Sequence, residues 1–545
     1  MSNYFICVGG TGSRIGEAFV YLCASGYFGQ GKTQIWIVDK DTQCANGSIL
    51  HSAVNEYNDV RQNCMWQDAP CFSQELSLNE WNFEDALKEL DPNATGESAF
   101  GKLAGNDPDV EKVMKFLHDA ESLDNSMSKG FYGRAQTGTA LYKAIEQIPN
   151  FFARDSLFQS IQAEITTGET PRVYLVGSSF GATGASLLPN MAKTLRTYFT
   201  SKVSIGAVLM LPYFGYESAS EDGRKALVSP ETHWEKAREA LNYYGDGNQM
   251  TIRLIGEGFG NPSVTLDCFY IVGCSPLTSI NSHFADGGKD QNNNVHIAEL
   301  YAAMGARHFF DLADQGDAGA PGAGTPATYA YSVGVGTQFT WARIDPRLRE
   351  QFLRLIRFSV AALTYVHPLA YQKAPLEEDH TLRECFGVTS TGFFGSKKAR
   401  VDKDVLKKNV KYVADFSKRF LDYITFLCYV GPDVALFDYE QYVHLFTKLQ
   451  SFAPHPASRL RELTLNEAYS EQERQIINGL CLLKRINSNP TIQTKGANET
   501  DMGQLINEIT HSMIQIKKAQ PAPGSYAEHT INGMRKFYQS VYEFI

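Results

Sequence analysis

The chain has no Cys-x-x-Cys pair, no histidine cluster at zinc-ligand spacing, no run of about 18 apolar residues and no basic excess. Each absence excludes something. The first two remove the usual zinc ribbons and fingers and the dithiol redox motifs. The third leaves no segment patterned to cross a membrane. The fourth, with a net charge of −10, speaks against a protein whose main task is gripping nucleic acid or an anionic membrane. The ten cysteines (Cys7, Cys23, Cys44, Cys64, Cys71, Cys268, Cys274, Cys385, Cys428 and Cys481) include several in apolar runs, where a free thiol behaves as a small hydrophobe. The N-terminus leads straight into a strand pattern, without a basic segment and apolar stretch ahead of it. Reduced thiols and a cytoplasmic location are therefore expected. No internal repeat is visible.

What is present is a large apolar inventory, 43% of 545 residues with 12% aromatic, enough for more than one globular domain. Tyr4–Val8 reads as a buried strand, Ile15 to Cys23 as a helix and Ile35–Val38 as a second strand. That order is a βαβ unit, which calls for a parallel sheet. Residues 45–128 are polar and weakly periodic and read as an insertion with short helices. Val173–Val176, Val203–Leu211 and Cys268–Val272 read as further strands. Helices are expected at Gly138–Ile148, Leu187–Tyr198, Ser229–Tyr244 and Val295–Leu312. After a Gly-, Ala- and Pro-rich stretch over 315–326, Tyr329–Trp341 reads as a strand. Helical patterns then dominate, with long candidates at Arg347–Tyr365, Val405–Tyr429 and Asn466–Leu483. The expected fold class is α/β: a mostly parallel sheet flanked by helices over 1–245, a second smaller α/β domain over 246–345, and a helical C-terminal domain over 346–545.

Two glycine-rich turns carry the chemistry. Gly9-Gly10-Thr11-Gly12-Ser13 follows the first strand, and Gly177-Ser178-Ser179-Phe180-Gly181-Ala182-Thr183-Gly184-Ala185-Ser186 follows Val173–Val176. Each runs into a helix. Free N–H groups and the helix dipole then converge on one spot, which suits an anion. Gly10, Gly12 and Gly16 make G-x-G-x-x-x-G, one residue longer than the dinucleotide fingerprint, and Asp39 stands where a ribose-binding acid would. A Rossmann enzyme using a dinucleotide or ATP is one reading of that turn, and a βα turn without ligand is another.

Two literal motif matches need their context. Gly26-Tyr27-Phe28-Gly29-Gln30-Gly31-Lys32-Thr33 spells a P-loop, but a helix precedes it and a strand follows, the reverse of what a P-loop requires. It reads as an αβ connection. Gly177-Ser178-Ser179-Phe180-Gly181 spells a nucleophile elbow in the right strand-to-helix setting, with Ser179 as nucleophile. A hydrolase also needs a base. His283, His296, His308 and His367 follow, none of them in an obvious loop beside an acid.

Taken together, the turns resemble the tubulin/FtsZ superfamily, in particular its diverged bacterial tubulin-like branch. Gly9, Gly10, Thr11, Gly12 and Ser13 stand where that family has its first phosphate loop. Val38-Asp39-Lys40-Asp41-Thr42-Gln43 is similar to its V-N-T-D-x-Q, with Asp41 and Gln43 matching. Gly130-Phe131-Tyr132-Gly133-Arg134 and Gly138–Leu141 resemble its third loop and the helix after it. Gly181-Ala182-Thr183-Gly184-Ala185-Ser186 matches the signature G-G-T-G-S-G at three of six positions. Val203 to Phe214 and Tyr331–Gly336 extend the likeness to about residue 345.

The resemblance implies a guanine-nucleotide site for GTP or GDP, with Mg2+ as companion. It would be held by Gly9, Gly10, Thr11, Gly12, Ser13, Asp41, Gln43, Arg134, Gly181, Ala182, Thr183 and Gly184. It also implies GTP hydrolysis and assembly into filaments. Two departures weigh on this. Ala182 and Ser186 replace glycines and would resist a left-handed backbone. The acidic activation loop is not matched, since only Asp311, Asp314 and Asp317 follow the central helix. Asn292-Asn293-Asn294 ahead of that helix offers amides to a base, or merely a helix cap. The C-terminal helices carry no site chemistry and read as core or as a surface for self-association or a protein partner. Their short basic runs, Lys397-Lys398-Ala399-Arg400 and Lys407-Lys408, read as solvated faces. A non-catalytic scaffold with a structural nucleotide stands beside these readings.

Overall fold

The computed structural model describes residues 2–81, 83–90, 100–101, 108–124, 130–131, 133–217, 230–245, 253–255, 264–274, 277–283, 288–290, 295–315, 328–333, 345–362, 401–430 and 526–544. In chain order the first elements are β1 (Ser2–Val8), α1 (Gly9–Ala24), β2 (Gly31–Val38), α2 (Ala45–Cys64) and β3 (Gln74–Glu80). There follow α3 (Phe83–Leu90), α4 (Pro108–Leu117), α5 (Ala120–Asp124), α6 (Ala135–Glu146), α7 (Phe151–Arg154) and α8 (Ser156–Thr166). Next come β4 (Arg172–Ser178), α9 (Ala182–Phe199), β5 (Ser204–Met210), β6 (Phe214–Glu217), α10 (Pro230–Gly245), β7 (Arg253–Ile255), β8 (Val264–Leu266), β9 (Cys268–Cys274) and β10 (Thr278–His283). The remainder is α11 (Ile297–Gln315), β11 (Thr328–Val333), α12 (Pro346–Ala361), α13 (Lys403–Val430) and α14 (Tyr526–Phe544).

One sheet of seven strands, ordered β11-β9-β5-β4-β1-β2-β3, organises the first compact unit (residues 1–19, 31–52 and 75–338). Six of its strands, β11 through β2, run parallel. The sequence dictates this. Tyr4–Val8 and Val173–Val176 are apolar on both faces and fully buried, as strands covered on two sides must be. Tyr4, Ile6, Val8, Val173 and Leu175 join the core beneath α6, α8 and α9. Phe5 stacks on Phe19 of α1 (4.3 Å between centroids), and Tyr174 stacks on Phe309 of α11 (5.6 Å). Helices thus cover both faces.

A fully buried ion pair and the hydrogen bonds around it hold this layering together. Arg196 of α9 donates to the carbonyls of Thr200 and Val203 and to Asp267 (2.7 Å), which also accepts from Ile205 N (2.7 Å). Removing either partner would leave a buried charge unpaired.

Two expectations change here. Residues 45–128 hold the 20-residue helix α2 and the edge strand β3, so this stretch is in part sheet and long helix. Its polarity hid a helix whose Leu50, Ala53, Val54, Tyr57, Val60 and Cys64 are buried while Ser48, Asn55 and Gln62 are exposed. The strands expected in a second α/β domain over 246–345 instead extend the first sheet: β9 pairs with β5 in register Ala207 to Phe269, and β11 pairs with β9. Beside it lie two small parallel pairs, β6 with β10 and β7 with β8.

The second compact unit comprises residues 20–30, 53–74 and 339–545. Its long described elements are helical. Tyr21 packs on Phe416, Phe420 and Tyr423 of α13, Arg419 forks onto Glu56 with two 2.8 Å bonds, and Tyr542 of α14 donates to Ser25 O (3.2 Å). Segments from both ends of the sequence therefore share this core. The candidate helix Asn466–Leu483 and the basic run at 397–400 lie outside the described residues.

Candidate functional site

A parallel sheet sends the loops after β1, β2, β4 and β5 to one edge, its carboxyl edge. The first turn is shaped by three glycines with different jobs. Gly9 has φ +75°, a left-handed conformation that L side chains avoid. A Cβ at Gly12 would lie 2.7 Å from Val176 O and 2.8 Å from Cys7 C, and one at Gly16 would lie 2.7 Å from Cys7 Sγ. Gly12 and Gly16 therefore seat α1 on β1 and β4. Gly10 and Thr11 are partly exposed, whereas Ser13 is buried and its Oγ has no partner.

The second turn reaches its helix without any left-handed residue. Gly181 is the residue ahead of α9, with extended backbone (φ −84°, ψ 142°), and its N–H bonds to Ser178 Oγ (3.3 Å). Ala182 is already helical. Ser186 sits one turn further in, and its hydroxyl donates back to Ala182 O (2.7 Å). Ala182 and Ser186, where the resemblance would have glycines, thus occupy right-handed helix, where alanine and serine cost nothing special. Gly184 is the tight position: a Cβ there would lie 2.6 Å from Ser178 N and O.

The two turns meet. A Cβ on Gly9 would be 3.1 Å from Thr183 Cβ and 3.5 Å from Gly184 N. The first turns of α1 and α9 accordingly stand side by side, and neither first turn has intrahelical partners for its N–H groups. Thr183 Oγ1 donates to Asp39 Oδ1 at 3.5 Å, which joins the end of β2 to them. Asp39 Oδ1 also accepts from Asp41 N (3.2 Å), and Asp41 Oδ1 accepts from Gln43 N (3.1 Å). Gly288 N reaches Asp41 Oδ2 at 2.6 Å. Gly130, at φ +84°, brings the third loop to 3.7 Å from Asp41 Cβ when given a Cβ. Burial, then the neighbouring Asp41, pushes the Asp39 carboxyl up to about 7.

Not every expected residue points at this junction. Gln43 is exposed, and the contact it makes to Asp41 is through its backbone. Arg134 stands ahead of α6, and its guanidinium donates to Asp119 (3.0 Å) and to Ser122. Asp311 pairs with Arg307 on its own helix at 2.8 Å. The Asn292–Asn294 run and Asp317 lie outside the described residues. Ser179 is 1% exposed and spends its hydroxyl on Met210 O (3.0 Å), a strand-end contact rather than a histidine. The Gly26–Thr33 string runs into the start of β2, with Gly31–Thr33 already in the strand, and so lies at the sheet's amino edge.

A buried polar cluster beside the first turn was not legible beforehand. Arg14 pairs with Glu299 of α11 and donates to Tyr213 Oη (3.3 Å), and Tyr213 donates to the same carboxylate (2.6 Å). Glu299 also accepts from His296 N (3.1 Å). Burial alone would lower the Arg14 pKa, but Glu299 and Tyr213 outweigh it and the guanidinium is held charged. Burial, then Arg14, pushes His296 down to about 3, so the imidazole is neutral. Phe180, Phe214 and His233 close the aromatic side of the cluster. Arg14 directly follows the glycine motif. Its partner lies 285 residues away, on a helix whose periodicity gave Glu299 no special mark.

Cys7, Cys23, Cys44, Cys64, Cys71, Cys268 and Cys274 are free thiols. Among the described residues no group of three or more His, Cys, Asp or Glu is arranged to hold a metal ion, and no helix is long and apolar enough to cross a membrane. No family model matches the chain, and neither a curated protein nor a solved structure matches it.

Proposed function

We propose that the chain is a tubulin/FtsZ-like nucleotide-binding protein that holds the phosphates of GTP or GDP between the first turns of α1 and α9. The observation that carries this is the packing of Gly9 against Thr183, so close that a Cβ on Gly9 would lie 3.1 Å from Thr183 Cβ, which turns two separate helix N-termini into one donor-lined cradle. Ser13 adds an orphaned buried hydroxyl in the same helix turn, a group left for a ligand or water. In this reading the N–H groups of Gly10, Thr11, Gly12, Ala182, Thr183 and Gly184 receive phosphate oxygens. Thr183 adds its hydroxyl, and Asp41 and Gln43 shape the loop after β2. Arg134 orders the third loop through Asp119 and Ser122 rather than meeting phosphate. Mg2+, when bound with the nucleotide, would supply neutralisation of phosphate charge. The helical unit is the surface proposed for self-association or for a protein partner.

Denaturing the purified protein and identifying released nucleotide by chromatography tests the reading. GDP or GTP supports it, and NAD would favour the dinucleotide enzyme. Thr183→Val removes one hydroxyl contact and is expected to weaken GDP binding by about 1 kcal/mol, roughly fivefold. Unchanged affinity by calorimetry would take Thr183 away from the phosphates. Phosphate release from added GTP, and light scattering, decide whether binding extends to hydrolysis and assembly.

A further inference from the structure

Asp39 is the charged group that an anion site would least welcome. It directly follows β2, touches Thr183 in the first turn of α9, and lies partly buried. Thr183 is in turn the residue that Gly9 abuts, so the carboxyl borders the cradle itself. The groups facing it are Asp41 and Lys40 on its own loop, Cys44 at the entry to α2, and Thr183 on α9. Asp41 is a like charge. Lys40 is drawn toward Glu84 of α3 as well as to both aspartates, and burial lowers its pKa. A phosphate arriving here would bring two or more further negative charges beside a carboxyl that already shares its loop with Asp41. A nearby anion favours the neutral form of a carboxyl.

We propose that Asp39 is a further binding residue of this cradle, one that takes up a proton as a polyanionic ligand settles between the first turns of α1 and α9; this rests on the phosphate site proposed above. The proton comes from solvent and is placed on Oδ2, since Oδ1 already accepts from Asp41 N and the Thr183 hydroxyl. No other bond is made or broken. The protonated carboxyl removes one negative charge from the loop and becomes a hydrogen-bond donor toward the ligand. The site then prefers polyanions under mildly acidic to neutral conditions and releases them as pH rises.

The test is calorimetric titration of the full chain with GDP, without added metal, in buffers of different ionisation enthalpy. The free carboxyl is pushed up to about 7, so above that pH it must be protonated on binding. At pH 8 the wild type should take up about one proton per GDP, and its affinity should fall about tenfold between pH 8 and pH 9. Asp39→Asn should take up close to none and keep its affinity across that range. Equal uptake in both proteins, or none in the wild type, overturns the assignment while leaving the nucleotide site intact. Failure of the wild type to bind GDP at all overturns both.

A ligand-free measurement guards against a variant that binds poorly for other reasons. A carboxyl raised in the folded state stabilises fully below its unfolded value and loses that contribution as pH rises through about 7. Asp39→Asn should therefore raise Tm at pH 8 but not at pH 4. A Tm difference that does not change with pH removes the titration from Asp39.

Discussion

The turn after β1 and the turn after β4 do the same job by different means. The first depends on glycine three times: Gly9 for a left-handed backbone, Gly12 and Gly16 for close seating of α1. The second uses no left-handed residue. It enters α9 through extended Gly181, tolerates Ala182 and Ser186 as ordinary helix, and needs glycine mainly at Gly184, against the backbone of Ser178. The comparison shows why counting motif glycines misleads. A glycine matters where φ or a backbone neighbour demands it, and two of the substituted positions demand neither.

The difference can be broken experimentally, from large effect to small. Gly12→Ala and Gly184→Ala each drive a methyl to 2.7 or 2.6 Å from backbone, which cannot rotate away. Each should cost about 3 kcal/mol in denaturant unfolding, if the protein still folds. Gly9→Ala meets strain at φ +75° and a tight contact with Thr183, for about 1–2 kcal/mol. It should also weaken GDP binding if the cradle holds phosphate, which binding and unfolding measured together would separate. Ala182→Gly should instead lose about 0.5–1 kcal/mol of stability, because a helical position prefers alanine. A gain in stability there would mean that the second turn does want a left-handed residue.

Much of the fold was legible because it rests on local pattern. The doubly apolar runs at Tyr4–Val8 and Val173–Val176 announce central parallel strands, and the helices after them follow from spacing. α2 was not legible, since a helix with four Asn and two Ser set among its apolar residues leaves a faint stripe. The strands β9 and β11 were seen, but their sheet was misplaced: pairing partners are set by crossovers, and nothing local marks them. At the candidate site the glycines were visible and their separate roles were not. Arg134 stands where the resemblance implies a phosphate ligand, but its guanidinium is taken up by Asp119 and Ser122, partners that no local pattern marks.

The sequence by itself determined that two strand-to-helix turns exist, that each is small-residue rich, and that an acidic loop follows β2. Those are properties of neighbours along the chain. Only the tertiary structure decided that the turns touch at Gly9 and Thr183, that Asp39 borders them, and that Arg14 is pinned by Glu299. Those facts depend on which strands lie side by side in the parallel sheet. Side chains more than a hundred residues apart are brought together by that order, and no local pattern encodes it.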